Sequence, residues 1–105
     1  MFKLKYMKPT SQETSGTSFH DSTITASLNQ MKTICGEPTS YGDPDDKVQY
    51  EWNMETEDGN TFTIYDWKEY RGFGSNEMIE WHIGGFGRID TLKAQEELQE
   101  ALSEM

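Results

Sequence analysis

The stretch VQYEWNMETEDGNTFTIYDW, residues 48–67, decides the fold of this chain. Its first half alternates between polar and apolar side chains, the apolar positions being Val48, Tyr50, Trp52 and Met54. A period of two is typical of a half-buried β-strand. Glu57-Asp58-Gly59-Asn60 predicts a hairpin turn, because Gly and Asn tolerate the positive φ of tight hairpins. Thr61 to Trp67 then forms the returning strand, dense in β-branched and aromatic residues.

A third strand follows this hairpin. After a glycine-containing loop over residues 68–77, Met78 to Ile83 alternates again. Successive side chains of a strand point to opposite faces. One face therefore carries Ile79, Trp81 and Ile83, and the other carries Met78, Glu80 and His82. These three strands predict an antiparallel sheet.

Two helices flank the strands. Ser27 and Gln30 form a capping box for a helix over about residues 27–35, which Gly36 and Pro38 end. Asp90 is the expected N-cap of a second helix over about residues 91–104. Its apolar face would hold Leu92, Leu98, Ala101, Leu102 and Met105. A lone helix of this length is marginal in water, so that face must pack on the sheet. We predict an α+β fold with an antiparallel sheet of three to four strands and two helices packed on one face.

The N-terminal part of the chain is less regular. Phe2, Leu4 and Tyr6 alternate with lysines and predict a short strand. Residues 8–23 are rich in Ser, Thr and Gly and are expected to form a flexible loop. A length of 105 residues corresponds to a single domain, residues 1–105.

Charge limits the classes of partner. Nineteen acidic residues against nine basic ones give a net charge of −10, which disfavours direct binding to nucleic acid. Residues 37–60 contain eight acidic residues and one lysine, a net charge of −7. This segment is either a solvated face or a docking surface for a basic partner, with Asp43, Asp45 and Asp46 as the contacts. The absence of a long apolar run argues against a membrane span, and a lone Cys35 fits a reducing cytosol.

The motifs of catalysis are missing. His20 and His82 lie in no metal-binding spacing, and Cys35 has no CxxC partner, so we expect no metal and no cofactor. An enzyme, such as a hydrolase using His20 or His82, would need a nucleophile paired with a base, and no such pairing is recognisable. We therefore predict that the chain is not an enzyme.

Two features could bind a small molecule instead. Gly84 and Gly85, between a strand and a helix, could expose backbone N–H groups to an anion beside Arg88, or could be a plain connector. The rings of Tyr65 and Trp67 lie close in sequence to Lys68 and Arg71. Exposed, these groups suit stacking on a planar base and pairing with phosphate. Alternatively, the rings simply fill the second face of the sheet.

Several short pieces of the chain resemble a known group of proteins. Gly16-Thr17-Ser18, Gly36-Glu37-Pro38, Ile64-Tyr65-Asp66-Trp67-Lys68 and Trp81-His82-Ile83-Gly84-Gly85 look like a family of small phage-encoded proteins of uncharacterised function. The likeness spans roughly residues 16–85. The sequence departs from the family's pattern at Phe19-His20-Asp21, where a longer aliphatic residue and a Gly-aromatic pair would be expected.

The resemblance implies an accessory protein in the cytoplasm of an infected bacterial cell. Such proteins often counter host defence, either by sequestering a nucleotide immune signal or by blocking a defence protein such as a nuclease effector. Sequestering proteins of this kind work as oligomers, so a homo-oligomer is a corollary. The expected ligand set has Tyr65, Trp67 and Trp81 for stacking, and Lys68, Arg71, Arg88, Gly84 and Gly85 for phosphate, with His82 as a further donor.

Overall fold

The computed structural model describes residues 7–105, so the strand predicted over Phe2, Leu4 and Tyr6 lies outside the described residues. The fold is α+β. In chain order the elements are β1 (Lys8–Pro9), β2 (Ser18–Ser27), α1 (Leu28–Cys35), β3 (Ser40–Tyr41), β4 (Tyr50–Glu55), β5 (Thr61–Tyr65), β6 (Met78–Gly85) and α2 (Arg88–Ser103). No helix of the described part is long and apolar enough to cross a membrane.

All strands join one antiparallel sheet. Its order is β1-β4-β5-β6-β2, and the short strand β3 also pairs with β4. The predicted hairpin is confirmed, with Gly59 at φ 85° in its turn. Within residues 7–105 the sheet has six strands rather than the three to four predicted. Two of the additional strands are only two residues long, which is too short for a sequence pattern to show.

Strand β2 corrects the prediction of a loop over residues 8–23. The chain is in β1 at Lys8–Pro9 and enters the ten-residue strand β2 at Ser18. The Ser- and Thr-rich composition suggested a loop, but Thr also favours strands. Ser22, Ile24 and Ala26 alternate inward and are all buried. The register shifts between Phe19 and Thr23, where Asp21 takes φ 67°, a conformation that Asp adopts more readily than most residues.

The core contains two tryptophans in edge contact. Trp52 of β4 and Trp81 of β6 have ring centroids 5.3 Å apart at an interplanar angle of 79°, and their exposed fractions are 1% and 0%. Each buried indole N–H has an acceptor: Trp52 Nε1 donates to the Gly36 carbonyl and Trp81 Nε1 to the Ala26 carbonyl, both at 2.9 Å. The inward residues of β2, β4, β5 and β6 form one apolar cluster with the buried residues of both helices.

Helix α1 matches its prediction. Ser27 and Gln30 form the capping box, in which each side chain accepts from the other residue's backbone N–H. Gly36 follows at φ 82°, and its N–H donates to the Lys32 carbonyl. The helix buries Leu28, Met31, Ile34 and Cys35.

Helix α2 differs from its prediction. It begins at Arg88 with Gly87 as the N-cap, so Asp90 lies in its first turn and is not the cap. The buried face comprises Thr91, Ala94, Glu97, Leu98 and Ala101. Of the residues predicted for this face, Leu92 and Met105 are exposed. The small side chains of the actual face allow a close approach to β6, where a Cβ on Gly85 would lie 2.9 Å from Thr91 Cγ2.

A buried carboxylate joins the end of β5 to the start of β4. Asp66 is 0% exposed, and its Oδ1 accepts from the backbone N–H groups of Gln49 and Tyr50, both at 2.8 Å. The Gln49 side chain in turn donates to the Arg71 carbonyl at 2.8 Å. Burial raises the pKa of Asp66, although these N–H donors act in the opposite direction. These hydrogen bonds attach the loop after β5 to the start of β4.

A second buried carboxylate lies under the hairpin. Glu97 of α2 is 6% exposed, and its Oε1 accepts from the Glu57 backbone N–H at 3.3 Å. Its Oε2 has no hydrogen-bond partner among the described residues. Burial raises the pKa of Glu97, while the hydrogen bond from Glu57 and the charge of Lys93 lower it. The surroundings of Glu97 therefore favour the protonated carboxyl group.

Replacing Asp66 with alanine should destabilise the fold. The Gln49 and Tyr50 N–H groups would lose their acceptor in a buried place, which costs about 2–4 kcal/mol of unfolding free energy. Asp66→Asn keeps one oxygen and should cost under about 1 kcal/mol. Urea unfolding of the three proteins measures both differences. If Asp66→Ala and Asp66→Asn lower the unfolding free energy equally, the hydrogen bonds of Asp66 do not stabilise the fold.

Glu97 should make stability depend on pH. A carboxyl whose folded-state pKa is raised binds its proton more tightly when folded, so its contribution is complete below the unfolded pKa and is lost as pH rises through the folded pKa. The unfolding free energy should therefore fall as the pH rises above about 4.3, the ordinary pKa of a glutamate side chain. Glu97→Gln should flatten this fall and be more stable than the wild type at pH 7. Urea unfolding across this range checks it, with the exposed neighbour change Glu96→Gln as control. A slope unaltered by Glu97→Gln would refute the assignment.

Candidate functional site

The face of the sheet opposite the tryptophan core carries a pocket. Strand alternation places Glu51, Thr63, Tyr65, His82 and Gly84 on this side. The pocket has a volume of about 330 Å³ and is lined by residues from β4, β5, β6 and the segments around them: Thr14, Ser15, Thr17, Ser18, Val48, Glu51, Thr63, Tyr65, Trp67 and Gly84. We call it the open-face pocket. Val48, predicted to face the core with Tyr50, lies here because β4 begins only at Tyr50.

One wall of the open-face pocket comes from the segment between β1 and β2. Thr17 turns back on Thr14, whose carbonyl accepts both the Thr17 N–H at 3.1 Å and the Thr17 hydroxyl at 2.7 Å. Gly16 in this turn has φ 91°. Together with Thr63 and Tyr65, the segment surrounds the pocket with hydroxyl groups. These groups can both donate and accept hydrogen bonds.

The floor needs the small glycine at position 84. A Cβ there would lie 2.6 Å from Thr63 Oγ1 and 3.5 Å from the Tyr65 ring. Gly84 and Gly85 belong to β6, which pairs with β5 on one side and β2 on the other. Their amides are therefore not presented in a loop, and the predicted anion-binding nest at Gly84 and Gly85 is wrong. The connection from strand to helix is confined to Phe86 and Gly87.

An aromatic group stands beside the pocket. The Tyr65 and Trp67 rings have centroids 6.1 Å apart, and His82 lies 5.7 Å from Tyr65 and 6.4 Å from Trp67. Phe19 stacks on His82 at 4.4 Å. Burial lowers the pKa of His82, against the opposing charges of Glu80 and Glu69, which favours the neutral imidazole. Trp67 is 40% exposed and offers a ring to a guest.

The only charged side chain that lines the described pocket is a carboxylate. Glu51 is half-buried and lies directly opposite Tyr65 in the β4–β5 register. Burial raises the pKa of Glu51. Burial also raises the pKa of Tyr65, and the charge of Glu51 adds to that rise. Within residues 7–105 the Glu51 carboxylate forms no ion pair and no side-chain hydrogen bond. It is therefore available to a ligand that donates hydrogen bonds.

The predicted phosphate-binding cations do not converge on this pocket. Lys68 is nearest, with its Nζ 5.4 Å from the Trp67 ring centroid. Arg71 pairs with Glu69 at 3.5 Å and with both oxygens of Glu77, so its charge holds the loop after β5. Arg88 Nη1 donates to the His20 carbonyl of edge strand β2 at 2.8 Å. These contacts give Arg71 and Arg88 structural roles.

Trp81 requires a correction as a stacking residue. It lies on the core face with Ile79 and Ile83, as the alternation predicts, and is fully buried. A guest on the open face cannot reach it. Of the residues predicted to bind a ligand, Tyr65, Trp67 and Gly84 line the pocket, His82 and Lys68 adjoin it, and Trp81, Gly85, Arg71 and Arg88 lie elsewhere.

One serine–histidine contact borders the pocket. Ser18, which lines the pocket, has its Oγ 3.2 Å from His20 Nε2 in β2. No described carboxylate forms a hydrogen bond with the other ring nitrogen of His20, so the orienting group of a catalytic triad is not seen. In residues 7–105, no group of three or more His, Cys, Asp and Glu side chains is placed to hold a metal ion.

The acidic docking candidates lie on a separate surface. Asp43, Asp45 and Asp46 are exposed in the turn between β3 and β4. Asp46 Oδ2 accepts from the Asp43 backbone N–H at 2.8 Å and stabilises this turn. In the described part of the chain none of the three forms an ion pair with a basic side chain.

Glu51, Thr63 and the segment from Thr14 to Ser18 were missed as site residues. For Glu51 a signal existed: the turn around Gly59 fixes the hairpin register, and that register puts Glu51 opposite Tyr65. No local pattern places the segment before β2 over this face, because its position depends on the pairing of β2 with β6.

Neither known family models nor curated proteins match this chain. The geometry of the open-face pocket must therefore carry the functional argument.

Proposed function

We propose that this protein is a non-catalytic binding protein that sequesters a nucleotide-like small molecule in the open-face pocket. The observation that carries the proposal is the meeting of a half-exposed tryptophan, a tyrosine and a ring of hydroxyls around one cavity on the uncovered side of the sheet. Aromatic rings stack on any planar base. Hydroxyls bind the polar edges of bases and sugars.

The dimensions of the pocket support a ligand of this class. A volume of about 330 Å³ lies at the lower end of the range of roughly 300–1,000 Å³ for small-molecule sites. One base with its sugar suits such a space better than two bases do. A phosphate would then extend past the rim, where Lys68 lies beside Trp67.

The family resemblance supplies the biological setting of the proposal. In that setting the chain is a phage anti-defence protein, it acts in the cytoplasm of the infected bacterium, and it captures a nucleotide or phosphorylated immune signal. Capture needs a binding site and no catalytic group. A homo-oligomer is part of the same proposal, because several copies of the pocket would share one assembly.

A second candidate function uses the exterior. The three carboxylates Asp43, Asp45 and Asp46 are exposed together on one turn and have no described cationic partner. Such a turn could dock on the basic surface of a host defence protein, such as a nuclease effector, and block it. In this candidate the charges act mainly on the association rate.

Trp67 should report ligand capture directly. Trp52 and Trp81 are buried, so stacking of a nucleotide should quench mainly the fluorescence of Trp67. Trp67→Ala should weaken binding about 5- to 150-fold, because stacking contributes about 1–3 kcal/mol per base. Calorimetry against nucleoside monophosphates, cyclic nucleotides and nucleotide-sugar signals measures the affinities. The exposed-ring change Tyr41→Ala, away from the pocket, is the matched control. No heat with any of these compounds would argue decisively against capture.

Neutralising the acidic turn tests the second candidate. The triple change Asp43→Asn, Asp45→Asn and Asp46→Asn should slow association with a basic nuclease effector and reduce its salt dependence. Stopped-flow measurements at two salt concentrations against a panel of purified effectors give the rates. Neutralising three exposed glutamates, Glu96 and Glu100 of α2 and Glu104 at its C-cap, removes the same charge elsewhere. If both triple variants associate at the wild-type rate, the acidic turn is not the docking surface.

A further inference from the structure

The Glu51 carboxylate has a position that core packing alone does not explain. It lies in the wall of the open-face pocket, half-buried and directly opposite Tyr65. Neighbouring acidic residues have cations: Glu55 pairs with Lys8 at 3.8 Å and Asp58 with Lys93 at 3.1 Å. Among residues 7–105, nothing pairs with Glu51. A partly desolvated carboxylate costs stability unless hydrogen bonds or charges compensate it.

A ligand that donates hydrogen bonds can supply the compensation that the described chain does not. An ionised carboxylate accepts hydrogen bonds and offers none. Neither lysine nor arginine lines the described pocket, and the chain carries a net charge of −10. A phosphate placed beside Glu51 would meet repulsion without compensation. The part of the ligand that enters the pocket is therefore rich in N–H groups, and any phosphate remains outside.

The bases differ in the donors that they present. Guanine has a ring N–H next to an amino group on one edge, so it can give a carboxylate two parallel hydrogen bonds, as an arginine does. Adenine and cytosine present an amino group next to an acceptor nitrogen, and uracil presents one N–H between two carbonyls. Facing a carboxylate, the last three bases place an acceptor against an acceptor. Only the guanine edge satisfies both carboxylate oxygens.

We infer that the open-face pocket selects a guanine-type base, with the Glu51 carboxylate accepting from the ring N–H and the adjacent amino group while Trp67 and Tyr65 contact the ring. The inference rests on the proposed function and names its ligand class. Selection comes from the base, so one pocket accepts any compound that presents guanine on an unhindered sugar.

Calorimetry with the full chain and simple nucleosides tests the inference. Guanosine should bind most tightly. Inosine, which lacks only the amino group, should bind about 10- to 150-fold more weakly, the effect of one charge-assisted hydrogen bond. Adenosine, cytidine and uridine should also bind more weakly than guanosine.

A matched pair of variants isolates the carboxylate. Glu51→Gln should weaken guanosine binding by about tenfold or more and should bring guanosine and inosine close together, while adenosine binding changes little. Glu80→Gln removes the same charge from an exposed position of β6 that does not line the pocket, and it should behave as the wild type. Urea unfolding of both variants shows that they remain folded.

The outcomes separate this inference from the proposed function. If nucleosides bind in a manner that depends on Trp67 but without preference for guanosine, or if Glu51→Gln leaves the preference intact, the guanine assignment is overturned and sequestration stands. If no nucleoside or nucleotide binds, both are overturned.

Choline binding should be measured in the same way, since a carboxylate close to aromatic rings also suits a cation. Glu51-dependent binding of choline without binding of guanosine would assign the pocket to cations instead.

Discussion

The edge contact between Trp52 and Trp81 governs the rest of the structure. Two indoles of this size bury large areas, and both N–H groups have acceptors inside the core, so neither ring can turn outward without losing apolar burial and a hydrogen bond. Strand alternation then fixes their neighbours. Because Trp52 and Trp81 face the helices, Glu51 and His82 must face the other way. The composition of the open face therefore follows from the packing of the core.

Helix α2 packs on the sheet, and its side chains also protect the edge strand β2. Edge strand β2 has carbonyl groups that no further strand of residues 7–105 covers, and such edges invite pairing with other chains. Arg88 donates to the His20 carbonyl and Gln95 to the Thr23 carbonyl, at 2.8 and 2.7 Å. These are contacts between the helix and an irregular part of β2, near Asp21. Arg88 was predicted to bind phosphate because it lies close to Gly84 in sequence. In the structure it helps to protect this edge instead.

Alternation and turn chemistry predicted the central hairpin, β6 and the common face of Ile79, Trp81 and Ile83, since these depend on contacts near in sequence. They could not reveal β2, whose Ser and Thr residues suit both loops and strands, and which becomes a strand only by pairing with β6. The site divides in the same way. Tyr65 and Trp67 follow from local alternation and adjacency. Arg71 pairs with Glu77, and Arg88 donates to a carbonyl of β2. Both contacts depend on the positions of a loop and a helix, which sequence periodicity does not predict.

Unpartnered carboxylate oxygens occur both inside and outside the open-face pocket: Asp66 Oδ2 and Glu97 Oε2, which do not line it, also have no hydrogen-bond partner among the described residues. Asp66 is more deeply buried than Glu51, yet its Oδ1 accepts two backbone N–H groups, so the fold itself compensates for much of the burial. Glu51 receives no such donors in the described chain, although burial raises its pKa. Local departures from polar satisfaction tend to occur at functional sites. In the proposed function, a ligand that donates hydrogen bonds would supply the donors that Glu51 lacks in the described chain.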